Sequence, residues 1–374
     1  MSHNGATEIR RTALYEQHRA AGGRLVPFAG WEMPIQYHSM IEEHKAVRER
    51  AGLFDVSHMG EIVLSGPDRE KTVDWLTTSH VEGKGPGEVQ YALLLKEDGG
   101  IIDDVLVYVQ TDTVLIVVNA ANHDKDLAWI ESRCQGKAVV RDESYATTQI
   151  ALQGPKSRKI LAKVAGEEAV RLGYYRSVPS KVAGSDALVS RTGYTGELGY
   201  EIYLHWEDGP NVWDALMDAG RDAGISPVGL GARDSLRLEM RYHLYGNDIT
   251  EETNPVEAGL GWVVRKKETD YVGREAVLAA RRDGVGRKLL GFRLGPREIP
   301  RPGYPILHAG RTVGSVTSGG FSPTLGAGIA LGYVERGAAK EKDGFAVSIR
   351  NREKAADLVK GPFVPSSVKE EGED

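Results

Sequence analysis

A single cysteine, Cys134, among 374 residues rules out an intrachain disulfide, a zinc site of clustered thiolates and a two-thiol redox pair. No run approaches the roughly 20 apolar residues a membrane helix needs. The polar opening from Met1 to Ile9 also lacks the apolar core of a secretory signal, so a cytoplasmic protein is expected. Positive charge is in deficit, with 47 Lys and Arg against 53 Asp and Glu and a net charge of -6. Such a field repels phosphates and anionic lipid, and neither a nucleic-acid nor a membrane partner is expected. Internal repeats, heptads and low-complexity tracts are missing, which sets aside solenoids and coiled coils. So are a P-loop, a G-x-S-x-G elbow and the G-x-G-x-x-G of a dinucleotide site: 191–201 spaces its glycines G-x-x-G-x-x-G, and Asp234 stands where 229–234 would need the third glycine. His44 and His123 lack metal-ligand spacing, so no metal is expected and both read as surface or capping groups.

What remains is ordinary globular composition, 41% apolar and 27% charged, over a length that suits two or three domains. Strand-like and helix-like segments are interspersed without strict alternation, which indicates an α+β fold. Ser39 and Glu42 form a capping box opening a helix that stops near Gly52. Further helices fit 67–76, the segment after Pro155, and the apolar stripe Val212, Leu216, Ala219. Strands are predicted at 89–96, 101–109 and 114–118, the first two joined by a Gly-rich turn at 97–100. Beyond Gly286 helical patterns give way to short strands at 289–294, 312–317, 329–334 and 345–350. A boundary near 285 therefore separates 8–285 from a small all-β domain, 286–366, with an acidic, frayed end at 368–374.

Within that frame the odd residues are charged ones in apolar settings. Asp103 and Asp104 interrupt a strand whose two faces are both apolar, and a carboxylate there needs a partner, a hydrogen bond or a proton. Either both escape at a bulge or strand end, or one serves as an acid, base or ligand anchor in a cleft. Glu201, in a short strand after the glycine loop, could accept paired hydrogen bonds from an amino-pyrimidine edge or a guanidinium. Arg233 falls in the first turn of a helix reaching about Met240, where the macrodipole disfavours a cation. It either pairs with Asp234 or Glu239 or, with Arg237 on the same face, receives an acidic ligand.

Longer stretches carry a resemblance. LYEQH at 14–18, FAGWEMP at 28–34, GLFDVSHMG at 52–60 and RTGYTGELGYE at 191–201 are joined by GLGARDSLRLE at 229–239, LYGND at 244–248, NPVEAGL at 254–260 and TSGGFSPTLG at 317–326. Together they closely resemble the aminomethyltransferase of the glycine cleavage system, the T-protein family, in order from about residue 12 to 365. The resemblance implies a cloverleaf: two interleaved α+β lobes with mostly antiparallel sheets plus a C-terminal β-barrel-like domain, and folate at the centre. It implies transfer of the methylene of an aminomethyl group, carried on the lipoyl arm of H-protein, to tetrahydrofolate with release of ammonia. Asp104, the second aspartate of Gly-Gly-Ile-Ile-Asp-Asp, then becomes the catalytic carboxylate and Asp103 its structural partner. Glu201 reads the pterin, Tyr91, Asn119 and Tyr194 line the folate pocket, and Arg233 faces the active centre or the acidic end of the ligand. A basic C-terminal residue near the folate tail is placed at Arg350, with Arg352 as the alternative. Folate-dependent demethylases, the folate-binding halves of sarcosine and dimethylglycine dehydrogenases, and folate-binding scaffolds for iron–sulfur assembly are the rival readings.

Overall fold

A computed structural model describes residues 9–264, 267 and 269–369, so most of the acidic C-terminal end lies outside the described residues. The chain weaves between two sheets before it builds the last domain. Gly52–Asp55 belongs to one sheet, Gly60–Ser65 to the other, and Thr147–Gln153 returns to the first. The five-stranded sheet runs, in spatial order, Val89–Leu95, Ile101–Val109, Thr113–Val118, Gly60–Ser65 and Val139–Asp142, with every neighbouring pair antiparallel. The six-stranded sheet runs Ser177–Val182, Ser185–Ser190, Gly199–His205, Thr147–Gln153, Gly52–Asp55 and Ser226–Pro227, only the last pair being parallel. Strands from Arg287–Arg293 to Arg352–Val359 close into a six-stranded antiparallel barrel. Each unit has its own apolar core, built around Leu152 and Ile202, around Ile116 and Val107, and around Phe292 and Val347. The fold is mixed α+β with two interleaved lobes and a C-terminal barrel.

The strand that carries the two aspartates shows how local sequence sets the site. At the Glu97–Gly100 turn, Gly99 takes φ +84, a left-handed geometry that a side chain would resist, and the hairpin closes through Lys96 N–H to the Gly100 carbonyl at 2.8 Å. Val105, Val107 and Val109 then pack into the core under the flanking helices, which places Asp103 on that face and Asp104 on the other. A register shift at Leu94/Leu95 lies opposite this point, so a bulge is present, yet Asp103 stays fully buried and Asp104 half-buried.

Several local expectations are corrected. The helix Met40–Glu49 begins at Ser39, but the Ser39 side chain makes no capping bond. Glu43 does the tying instead: one oxygen accepts from the Tyr37 and His38 N–H groups at 2.7 and 3.0 Å, the other from the Gly229 N–H at 2.8 Å. A buried carboxylate satisfying three backbone donors joins two chain segments, which a solvent-facing Glu42 could not do. His44 is not a surface group either, being fully buried against Ser235 and Glu239. His123 is likewise nearly buried, between Asp124 and Asp142. In the barrel, Pro305–His308 and Arg352–Val359 are strands that the apolar pattern does not announce.

Candidate active site

A cavity of about 730 Å³ opens where the two lobes meet the barrel. That volume lies within the range of small-molecule sites. The five-stranded sheet supplies Tyr91, Asp104 and Leu106; the six-stranded sheet and its glycine loop supply Glu201 and Tyr194; the helix Leu230–Glu239 supplies Arg233; and the barrel closes the far side with Leu289 and Leu331. Of the residues singled out in the sequence, Asp104, Tyr91, Asn119, Tyr194, Glu201 and Arg233 all line this one space.

Asp104 sits with one carboxylate oxygen accepting from the Tyr91 hydroxyl at 3.0 Å and the other from the Asn119 amide at 3.0 Å. Burial pushes its carboxyl up to about 7, with the adjacent Asp103 charge adding to the rise and the two donors opposing it. Asp103 points the opposite way and is fully buried. It accepts from the Asn119 N–H at 2.9 Å, the Asn119 amide at 2.8 Å and the Asn122 amide at 2.6 Å. Asn119 thus clasps both carboxylates from the end of the Thr113–Val118 strand.

Across the cavity, Glu201 accepts from the Thr192 hydroxyl and from the Gln149 amide at 3.1 Å, and burial raises its carboxyl above the ordinary value. Its two lone-pair-rich oxygens keep capacity for further donors. The glycine loop before it is a packing device: Gly196, at φ +79, brings the backbone against the Met240 side chain, where a Cβ would lie 2.3 Å from sulfur. Arg233 lies over the Tyr194 ring at 4.9 Å, and among the described residues no carboxylate pairs with it. Burial lowers its guanidinium below the ordinary value, and Glu201 and Tyr194 oppose that. Arg237 is a different case from the ligand-facing role considered for it. It is bound to Asp234 at 2.8 Å, Asp248 at 2.9 Å, Ser318 at 3.0 Å and the Tyr242 carbonyl at 3.1 Å, and serves the structure.

Arg350 is not brought to the cavity. It occupies the exposed turn between Phe345–Ile349 and Arg352–Val359, at φ +49, and Arg352 beside it is exposed too. Neither side chain is among those that line the cavity. The basic group at the barrel's edge of the cavity is Arg241, held by the Val359 and Gly361 carbonyls at 3.0 and 3.2 Å. Sequence reasoning also passed over Trp262, which is 68% exposed and stacks on Tyr91 at 6.0 Å; it lines the cavity, as do His58, Met59 and Tyr242. Trp262 could have been found as an apolar side chain in a Gly-rich segment with no periodic face to join. His58 is held neutral, its imidazole pushed down to about 4 by burial and by the Arg233 charge.

Residues 14–268 match the family of the GCVT N-terminal domain, and residues 287–365 match that of the glycine cleavage T-protein C-terminal barrel domain. The aminomethyltransferase of Halothermothrix orenii is 48% identical over 95% of this chain and all of its own length. That of Moorella thermoacetica is 47% identical, covering 95% of this chain and 98% of the relative. The crystal structure of glycine cleavage system aminomethyltransferase T from Bartonella henselae superposes with a TM-score of 0.88 at 32% identity, covering 96% of this chain and 99% of that one.

Proposed function

The chain belongs to the glycine cleavage T-protein family and is an aminomethyltransferase of the glycine cleavage system, and on that premise we propose that its central cavity binds tetrahydrofolate with the reacting nitrogen beside Asp104. The methylene comes from an aminomethyl group held on the lipoyl arm of H-protein; two carbon–nitrogen bonds form, one to each of two folate nitrogens, as the carbon's bonds to the amino nitrogen and the lipoyl sulfur break, and the two folate protons leave on ammonia and the lipoyl thiol. As the folate nitrogen attacks, it becomes cationic. The Asp104 carboxylate stabilises that charge and then takes up the nitrogen's proton, a role suited to a group poised near neutrality. Tyr91 and Asn119 hold the carboxylate in place. Glu201 accepts from the amino and ring N–H groups of the pterin, Tyr194 flanks the ring system, and Arg233 or Arg241 attracts the acidic end of the ligand into an overall negative protein.

The observation that carries this reading is the convergence of Asp104, Glu201 and Arg233, three charged groups from three different elements, on one cavity of small-molecule size. The test is reconstitution: the protein, aminomethylated lipoyl H-protein and tetrahydrofolate are mixed, and methylene-tetrahydrofolate and ammonia are followed. Equal yields of both are expected. Ammonia without methylene-tetrahydrofolate, or neither product, contradicts the proposal.

A further inference from the structure

Behind the catalytic strand, on the face away from the cavity, a third aspartate is buried. Asp126 projects from the helix His123–Arg133, whose inward stripe is His123, Asp126 and Ile130. It is fully buried, and neither carboxyl oxygen meets an N–H or hydroxyl donor among the described residues. The group it faces is another carboxyl, that of Asp103, and the two act on each other's ionisation. Two carboxyls can share a hydrogen bond only if one of them carries a proton, and two bare carboxylates in contact inside a protein repel strongly.

Burial raises both carboxyls, and the donors around each decide which is the acid. Asp103 receives three N–H donors, two from Asn119 and one from Asn122, and these favour its ionised form. Asp126 receives none. The neighbouring Lys125 favours its ionised form only through space, since its ammonium turns to the Ile102 carbonyl at 2.6 Å, the Tyr245 hydroxyl at 3.0 Å and Glu251 at 3.4 Å. The other ionisable groups facing the pair are Asp104 across the strand, Tyr245 and Glu251, and none of them supplies a positive charge.

We propose that Asp126 is a positioning residue that keeps its proton at working pH and donates it to Asp103, so that the two buried carboxyls carry one negative charge behind Asp104. Burial first, and the Asp103 charge second, push the Asp126 carboxyl up to about 11, in keeping with this. The consequence for catalysis rests on the role given to Asp104 above. The shared proton draws part of the Asp103 charge away from Asp104 and holds Asp103 where it fixes Asn119, the residue that also grips Asp104. Removing the donor concentrates the charge on Asp103, increases repulsion on Asp104, and moves the acid limb of the rate profile to higher pH.

Two measurements test this. Infrared spectra of the whole protein at pH 8 are compared for wild type and Asp126→Asn; a carboxylic-acid carbonyl band lost in the variant is expected, and identical spectra in the carboxylic-acid region overturn the proposal. The pH profile of turnover with H-protein and tetrahydrofolate is then measured for Asp126→Asn and Asp126→Leu. The amide still donates to Asp103, so its acid limb stays near that of wild type, while the leucine variant shifts upward by about one pH unit. A leucine limb that is unmoved or shifted down, or an asparagine limb that moves as far as the leucine one, overturns the positioning role. Where Asp126→Leu does not fold, the infrared comparison and the asparagine profile decide. A band that disappears in Asp126→Asn while Asp104→Asn turns over normally sinks the reading of Asp104 and leaves the shared proton standing.

Discussion

Asp103 and Asp104 are neighbours in the chain and opposites in setting, because a strand sends successive side chains to opposite faces. The first is locked among amide donors in the interior; the second meets two donors and an open cavity. Proton uptake by Asp104 removes the carboxylate the reaction needs, so turnover is expected to fall as pH drops through about 7, as measured by initial rates across pH 5.5–8.5. Tyr91→Phe deletes a donor that stabilises the ionised form and shifts the midpoint of that fall upward, by about half a unit to one unit. A second carboxyl answers to a different pH. Glu61 is buried with neither oxygen partnered among the described residues, and burial raises it well above the ordinary value of 4.5. Its folded form therefore holds a proton that the unfolded chain releases, so this group's contribution to stability declines as pH rises from 4.5 toward its raised value. Glu61→Gln removes that dependence, and thermal unfolding should show it gaining about 2 °C or more on wild type at pH 8 relative to pH 5. Such pairings were partly legible: an aspartate between Ile102 and Val105 asks for compensation from the sequence alone, whereas Asn119, Asn122 and Asp126 lie 15 or more positions away and are joined to it only by the fold.

Elements that alternate cleanly were read close to their true bounds, as with Ile101–Val109 and the apolar stripe of Gly209–Gly220. The failures came where long-range polar contacts replace local rules. Leu230–Glu239 looks amphipathic in sequence, but Arg237, Glu239 and Ser235 are all buried, because the helix lies between the lobes and the barrel. Glu239 accepts from Arg48 at 2.9 Å, from His44 at 3.1 Å and from the Ser322 hydroxyl at 2.5 Å, so one carboxylate ties the first lobe's helix to the barrel. The His44 hydrogen bond first, then the Ser322 hydroxyl and the Arg48 charge, hold the Glu239 carboxyl down at about 2 despite burial. Arg237 pairs in turn with Asp248 at 2.9 Å, and Arg237→Leu would strand that buried carboxylate. A loss of about 3–5 kcal/mol in chemical denaturation is expected, with the lobes' tryptophan fluorescence and the whole molecule's circular dichroism no longer unfolding together. A coincident transition with unchanged midpoint contradicts this.

Across the whole molecule, three separate cores leave a gap at their junction, and the cavity is that gap. Fold class is legible from the interspersed helical and strand patterns, since it is a property of long stretches. Which barrel residues reach the junction is not, because it depends on barrel closure and on the tilt of each hairpin. Arg350 shows the difference: the family resemblance suggests a basic contact there, and at a hairpin tip it is not among the residues that line the cavity. Arg350→Ala is accordingly expected to leave the folate dissociation constant within about twofold of wild type by fluorescence titration, a change of about 0.4 kcal/mol at most. The central claim concerns Asp104, and the most direct measurement is single turnover by Asp104→Asn alongside its folate affinity. A rate at least about 100-fold below wild type, with folate binding preserved within about threefold, is predicted. Wild-type turnover, or a rate loss accounted for by lost folate binding, contradicts the account.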